Sequence, residues 1–484
     1  MGRAAAQIEI GGIPTVSVTR QGFEGIVSNA FAGFGFNTEA PMGYVFPDEM
    51  FLAGSDLTPL EEHFDDLLSG LTAWEPVMKE KGMVDPEPIT LSAKTYPEAV
   101  NAVNNLFARN LWRDSLPIVP PTEETVNWIL KGTDHDPAEV IGTAWPRGGI
   151  VTVRALAVVL AMAGGRPEYL PYLIAAAKVM IDPRAGMQNW NATTCSVLPA
   201  FIVNGPALKD IRLGSGYGCL GPDPVHPAGQ TLGRALRLVQ QDIGGAVPGT
   251  GTMAIFGGMR STNFFFAEDE DGIPEGWKSF AESRGFSRDK NVVTITFVNS
   301  AVNALCTFGG SAEANMVCLT SLAQNMAAPN CNRFAGIGLT MQDGTPDNPD
   351  YPAGVVLLTA PFVKSLITAN GITSMDEVKQ ILWDNSKIDW NTVAGLGVMS
   401  AGVTNALKTM KELGLVTEGE PVPICASPER LTVIMCGGAQ GGHAYWMAGT
   451  NFGLMTSAEV DLPKNWDDLM LDAEIALGPL PATN

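Results

Sequence analysis

The stretch LTVIMCGGAQGGHAYWMAG, residues 431–449, carries the argument for the fold in a few turns of chain. Leu431 to Met435 is a short apolar run with β-branched residues, the signature of a buried strand. Cys436, Gly437, Gly438, Gly441, Gly442 and His443 follow, and the segment after them can form a helix. A strand, a turn of small residues and a helix start place free backbone N–H groups around a cavity. A thiol and an imidazole then share its rim, which is how active sites are commonly built on α/β scaffolds. The pattern points to an enzyme without naming its reaction.

The elements on either side agree with such a scaffold. Val197 to Val203 reads as a buried strand ending in Asn204-Gly-Pro206, and Asn291 to Asn299 as a second strand. Helices are expected from Thr152 to Ala163, Pro167 to Met180 and Ala228 to Ile243, and at about 311–327, 374–384 and 400–413. Thr122 can cap a helix that has Glu123 and Glu124 in its first turn. Asp136-Pro-Ala-Glu139 has the form of another helix start, with His135 in a local structural role beside it. Further upstream, GIPTVSV (12–18) reads as a strand after a short helical N-terminus. Pro59 to Ser69 reads as an acidic helix, and a helix begins near Tyr96 and runs to about Arg113. The fold class is therefore α/β. A large Gly-rich α/β or α+β domain over 114–484 follows a small, incomplete α/β domain over 1–75, with a linker and helix over 76–113.

Composition narrows the function. The 484 residues are 45% apolar and 17% charged, ample for large cores, and the net charge of −21 repels nucleic acid and anionic membrane surfaces. Seven widely spaced cysteines without a CxxC argue against a disulfide framework or a zinc ribbon. MGRAAAQIEIGG lacks the apolar core of a secretory signal, and the Ile150–Gly165 run is short for a membrane span and carries Arg154. A cytoplasmic protein with reduced thiols is expected.

Several motifs can carry chemistry. GYGCLG (216–221) fits GxGxxG as a string, but polar Lys209 to Ser215 precedes it and Pro222-Asp223-Pro224 blocks the helix that a pyrophosphate needs. No nicotinamide or flavin dinucleotide is expected there. The loop 214–227 instead brings Cys219, Asp223 and His226 to a helix start, with Gln230 nearby to help bind a carboxylate or phosphate. Cys195, in the polar run QNWNATTCS (188–196), is a candidate nucleophile with His226 or His443 as its base, or an inert buried thiol. FFFAEDED (264–271) ends in four carboxylates that cap or solvate a loop, or bind a divalent metal. No metal site is assigned. The candidate site comprises Cys195, Cys219, His226 and His443 as catalytic groups, with Asn204, Gln230, Gln440, Gly441 and Gly442 binding substrate.

Leu116-Pro-Ile-Val-Pro-Pro-Thr122, Ala163-Gly-Gly-Arg-Pro-Glu-Tyr-Leu-Pro171, Ile202-Val-Asn-Gly-Pro206 and Leu232-Gly-Arg-Ala-Leu-Arg-Leu238 resemble the UGSC family of bacterial proteins. That family is named for a selenocysteine- or cysteine-Gly-Ser-Cys motif in an N-terminal domain. Residues 12–75 resemble the remainder of that domain and residues 105–484 its large region. No cysteine precedes Cys195, so the motif is absent here. The resemblance implies redox chemistry, carried either by a separate small subunit bearing the Gly-Ser-Cys motif or lost altogether. The resulting expectation is the large subunit of an oligomeric enzyme that acts on a small organic molecule by a thiol-assisted, possibly redox, reaction. Two rivals stand beside it: a redox-neutral lyase or hydratase using His443 as acid–base, and a non-catalytic scaffold for a small redox partner.

Overall fold

A computed structural model of the chain describes residues 2–36, 39–48, 50, 54–78, 88–257, 264–305, 310–329, 348–399, 401–450 and 452–479. Cys306 and Cys331 lie outside these residues.

The N-terminal region folds around Ala6, Val27, Phe31, Phe36 and Ala40, with Trp74 packed edge-on against Phe31. Its strands β1 (Ser17–Arg20) and β2 (Met42–Phe46) form a two-stranded parallel sheet. The first begins at Ser17, after Pro14, which has no N–H to donate, and Thr15, whose N–H donates to the Glu9 carboxylate. The acidic helix is two helices, Pro59–Glu62 and Phe64–Thr72, that meet at His63. The helix from Tyr96 ends at Arg109, four residues short of Arg113. The small core rests on the large region where Phe34 packs against Trp145.

β3 (Val140–Ala144) and β4 (Gly149–Thr152) form a hairpin. This overturns the helix expected at Asp136-Pro-Ala-Glu139. The Asp136 carboxylate accepts from the Ala138 N–H in a turn, and His135 bonds Glu139 at 2.9 Å. The helix follows the hairpin instead, over Val153–Met162, and Thr152 caps it by accepting from the Ala155 N–H. Thr122 caps the helix Glu123–Leu130 in the same manner.

The main sheet is mixed and comprises β5 (Leu198–Asn204), β6 (Phe265–Ala267), β7 (Val292–Leu305), β8 (Gly354–Leu358), β11 (Leu431–Met435), β12 (His443–Gly449) and β13 (Thr456–Glu459). A small ladder of β9 (Lys387–Ile388) and β10 (Val422–Pro423) lies outside it. The order is β11-β8-β12-β7-β5-β6, with β13 also on β7. The fold is thus α/β in the mixed sense. β7 is its spine: its first half pairs with β5 and β13, and its second half with β12.

One face of this sheet is covered twice. Val293, Ile295 and Phe297 of β7 face a core built on the helices Val153–Met162, Leu170–Ile181 and Ala228–Leu238. Val356, Leu358, Val433 and Trp446 face a second core built on the helices Ala312–Met326, Ala360–Asn370 and Met375–Asn385. The opposite face carries a small cluster that includes Ile202, Phe266, Leu357, Ile434 and Cys436, and it holds the cavity described below.

The segment after Gly442 is strand, not helix. β12 lies between β8 and β7, antiparallel to both, with Ala444, Trp446 and Ala448 turned to one core. Ladders on both sides override the helix propensity of its Ala and Met residues. No helix among the described residues is long and apolar enough to cross a membrane.

Candidate active site

Two turns separated widely in sequence meet on the open face of the sheet. The first is the loop 214–227, tied to the second where the Gly437 N–H donates to the Ser215 carbonyl at 2.7 Å. The second, 436–442, leaves β11 and rests on the N-terminus of the helix Ala360–Asn370. There the Thr359 hydroxyl donates to the Gln440 carbonyl at 2.8 Å. The helix start expected at His443 is therefore supplied by another segment. Its partial positive charge faces the turn.

Between the turns is a cavity of about 270 Å³. Cys219, Cys436, His443 and Gln440 border it, with Tyr217, Leu220, Leu357 and Tyr445 as the larger walls and Asn303 and Thr359 as further polar groups. Gly438 permits the wall at Tyr217. A Cβ there would lie 2.1 Å from the ring.

The two thiols form the centre of the site. Cys219 Sγ and Cys436 Sγ are 3.8 Å apart, within hydrogen-bond reach for sulfur, and both cysteines are free. The Cys436 thiol lowers the pKa of Cys219 by hydrogen bonding to its thiolate, an effect that outweighs burial. Cys436 shifts the opposite way: the bond to Cys219 and complete burial hold its proton, aided by the charges of Glu268 and Asp269. The pair is asymmetric, with the more accessible sulfur the better nucleophile.

A polar layer backs Cys436. The Asp269 N–H donates to the carbonyl of Met435. Glu268 is buried and accepts from the Phe280 N–H and Asn204 Nδ2, each at 2.7 Å. Burial nevertheless raises its pKa to about 7. Asn204 Nδ2 also donates to Glu270 at 2.6 Å. The turn 204–206 therefore supports this layer and does not border the cavity. Among the described residues, no group of three or more His, Cys, Asp and Glu side chains is arranged to hold a metal ion.

The structure divides the candidate residues. Cys219, His443 and Gln440 come together, while Gly441 and Gly442 shape the turn without bordering the cavity. His226 binds Asp223 through Nδ1 at 2.5 Å and packs beside Gly214 on the same side as the Cys219 backbone, but it does not border the cavity. Gln230 packs its amide under Gly221. Cys195 belongs elsewhere, in a cleft of about 10 Å³ beside Arg237 and Gln240. Cys436 was visible as a thiol at the rim, but its partnership with Cys219 spans 217 positions and has no local signal. Tyr217, Asn303 and Thr359 likewise had none, and Glu268 stood out only as one of the four carboxylates of FFFAEDED.

Searches against family models, curated proteins and solved structures found no match to the chain.

Proposed function

We propose that the chain is an enzyme that binds a small organic molecule in the Cys219 cavity and attacks it with the Cys219 thiolate. The observation that carries this reading is the placement of Cys219: it borders a cavity of about 270 Å³ and has a second thiol 3.8 Å behind it that stabilises its ionised form. His443, at the first position of β12 on the same cavity, acts as the proton donor to the leaving group. Gln440, Asn303 and Thr359 orient the bound molecule, and the aromatic and aliphatic walls select organic groups over water. Cys195 and His226 have no part in this mechanism. Iodoacetamide labelling followed by peptide mapping is the test. Cys219 should be alkylated before Cys195, Cys318 and Cys425, and at a pH below the ordinary thiol range. Preferential labelling of Cys195 would refute the assignment.

A second reading concerns assembly, where the likeness to UGSC proteins is a proposal about a partner. Residues 1–75 pair with another polypeptide that extends their sheet, in keeping with a small redox subunit. Supporting this, β1 and β2 form, among the described residues, a parallel pair of two strands, an arrangement rarely stable without further strands or covering layers. Phe64, Leu68 and Leu71 are also exposed at helical spacing on Phe64–Thr72. Light scattering on the purified chain, with and without co-purified material from its host, checks it. A stable monomer with no second chain contradicts the reading.

A further inference from the structure

The asymmetry of the thiol pair allows the chemistry to be taken one step beyond nucleophilic attack. We propose that Cys219 and Cys436 are the attacking and resolving thiols of a two-electron redox couple whose acceptor is a small, uncharged or cationic organic disulfide bound in the cavity. This rests on the reading of Cys219 as nucleophile.

The steps balance without any further reactant. The Cys219 thiolate attacks one sulfur of R–S–S–R, forming a Cys219–S–S–R mixed disulfide and expelling RS⁻, which takes a proton from His443. Cys436 then passes its proton to the now neutral His443 and attacks Cys219 Sγ, forming the Cys219–Cys436 disulfide and releasing the second RS⁻, which takes that proton back from His443. Two protein thiols are oxidised and one external disulfide is reduced to two thiols. A dithiol reductant returns the pair to its starting state by the reverse exchange.

Four observations support this assignment. The sulfurs start at 3.8 Å and must close to about 2.05 Å in a disulfide, a movement of side-chain size. Glycines with positive φ flank both cysteines, Gly218 and Gly221 around Cys219 and Gly437 after Cys436, so the turns can adjust. Both cysteines border the cavity, but Cys436 is only 3% exposed whereas Cys219 is half-buried, so an incoming molecule meets Cys219 first. Finally, no Lys or Arg among the described residues borders the cavity, and the chain carries a net charge of −21. Apart from His443, such a lining offers an anionic acceptor no positive side chain, and it favours a leaving group that is stable without strong electrophilic help, as a thiolate is.

The test uses the full chain, reduced and freed of reductant. It is exposed separately to bis(2-hydroxyethyl) disulfide, cystamine and glutathione disulfide, then acid-quenched and mapped by mass spectrometry. Wild type should yield the Cys219–Cys436 crosslink with no retained adduct, and dithiothreitol should reverse it. Cys436→Ser should stop at the mixed disulfide on Cys219, and Cys219→Ser should form neither product. The neutral and cationic probes should react roughly tenfold or more faster than the anionic one, the lower range of electrostatic steering. If wild type also stops at the Cys219 adduct, the redox couple is refuted while the nucleophile reading stands. If Cys219 is not modified at all, both fall. If glutathione disulfide reacts as fast as the small probes, the acceptor class is wrong.

Discussion

Cys195 and Cys219 look alike in the sequence, each on a polar, glycine- or asparagine-rich segment near a buried element, yet they occupy opposite kinds of environment. Cys195 packs against the large helical core beside a cleft of about 10 Å³, room for roughly one water. Cys219 faces a cavity of about 270 Å³ and a second thiol. Local composition sets how polar a loop is. What the loop meets is set by the sheet order, which brings the end of β11 beside a loop more than two hundred residues earlier. A reactive cysteine needs both access and a group that stabilises its thiolate, and only the second site combines a substrate-sized cavity with such a group.

The sharpest way to break this contrast is to exchange the two thiols for hydroxyls. Cys219→Ser should reduce exchange with bis(2-hydroxyethyl) disulfide to the uncatalysed background, whereas Cys195→Ser should change the rate by less than about threefold, the scale of an indirect packing effect. Initial rates of thiol release measure both. An equal loss in the two variants would erase the distinction between the environments.

His443 sharpens the comparison next, since it borders the Cys219 cavity and not the Cys195 cleft. His443→Gln retains a polar side chain but cannot deliver a proton, so the rate should fall roughly a hundredfold, the lower range for general acid–base catalysis. The loss should shrink as the thiol leaving group of the probe becomes more acidic. A loss independent of leaving group would assign His443 to positioning alone.

Much of the scaffold was legible because its signals are local. Leu431 to Met435 and Val197 to Val203 are short apolar runs bounded by turn residues, the pattern of buried strands, and Thr122 and Thr152 carry their capping instructions within three residues. The misread segments are those where a partner decides. HAYWMAG contains good helix formers, and only the ladders to β7 and β8 make it a central strand. Asp136-Pro-Ala-Glu139 has a helix-start composition, but β3 pairs with β4 immediately after it. The site followed the same rule. Gln440 and His443 were recognisable beside their glycines, whereas the Cys219–Cys436 pair and the Glu268 layer exist only through tertiary contacts.

The Glu268 layer separates the two environments by pH. Its carboxyl, raised by burial from 4.5 to about 7, holds a proton more tightly in the folded chain than in the unfolded one. Below about pH 4.5 both states are protonated and the contribution to stability is intact. As pH rises through 7 the folded chain must bury a charge, and stability is lost by an amount on the order of 3 kcal/mol. Glu268→Gln should therefore unfold at higher denaturant concentration than wild type at pH 8 and at nearly the same concentration at pH 5. Asp242, also pushed to about 7 by burial, adds a slope of the same sign to both proteins, so the difference between them is the informative quantity. Parallel pH profiles for the two would show that Glu268 ionises normally.

The smallest expected effect concerns the wall that closes the cavity. Tyr217 is 65% exposed, yet its ring lies across the turn at Gly438, where a Cβ would come within 2.1 Å of two ring carbons. Gly438→Ala must therefore displace the ring. Because Tyr217 is mostly exposed, the displacement should cost stability only about 1 kcal/mol or less. The Cys219 cavity should open as the ring moves, so bulky probes such as glutathione disulfide gain relative to bis(2-hydroxyethyl) disulfide by a few-fold, with Cys195 labelling unchanged. Rate ratios for the two probes, measured on variants of equal denaturant midpoint, test this directly. A Gly438→Ala variant with an unaltered ratio would mean that Tyr217 does not gate the cavity, and that the width of the site is set by Leu220, Leu357 and Tyr445 alone.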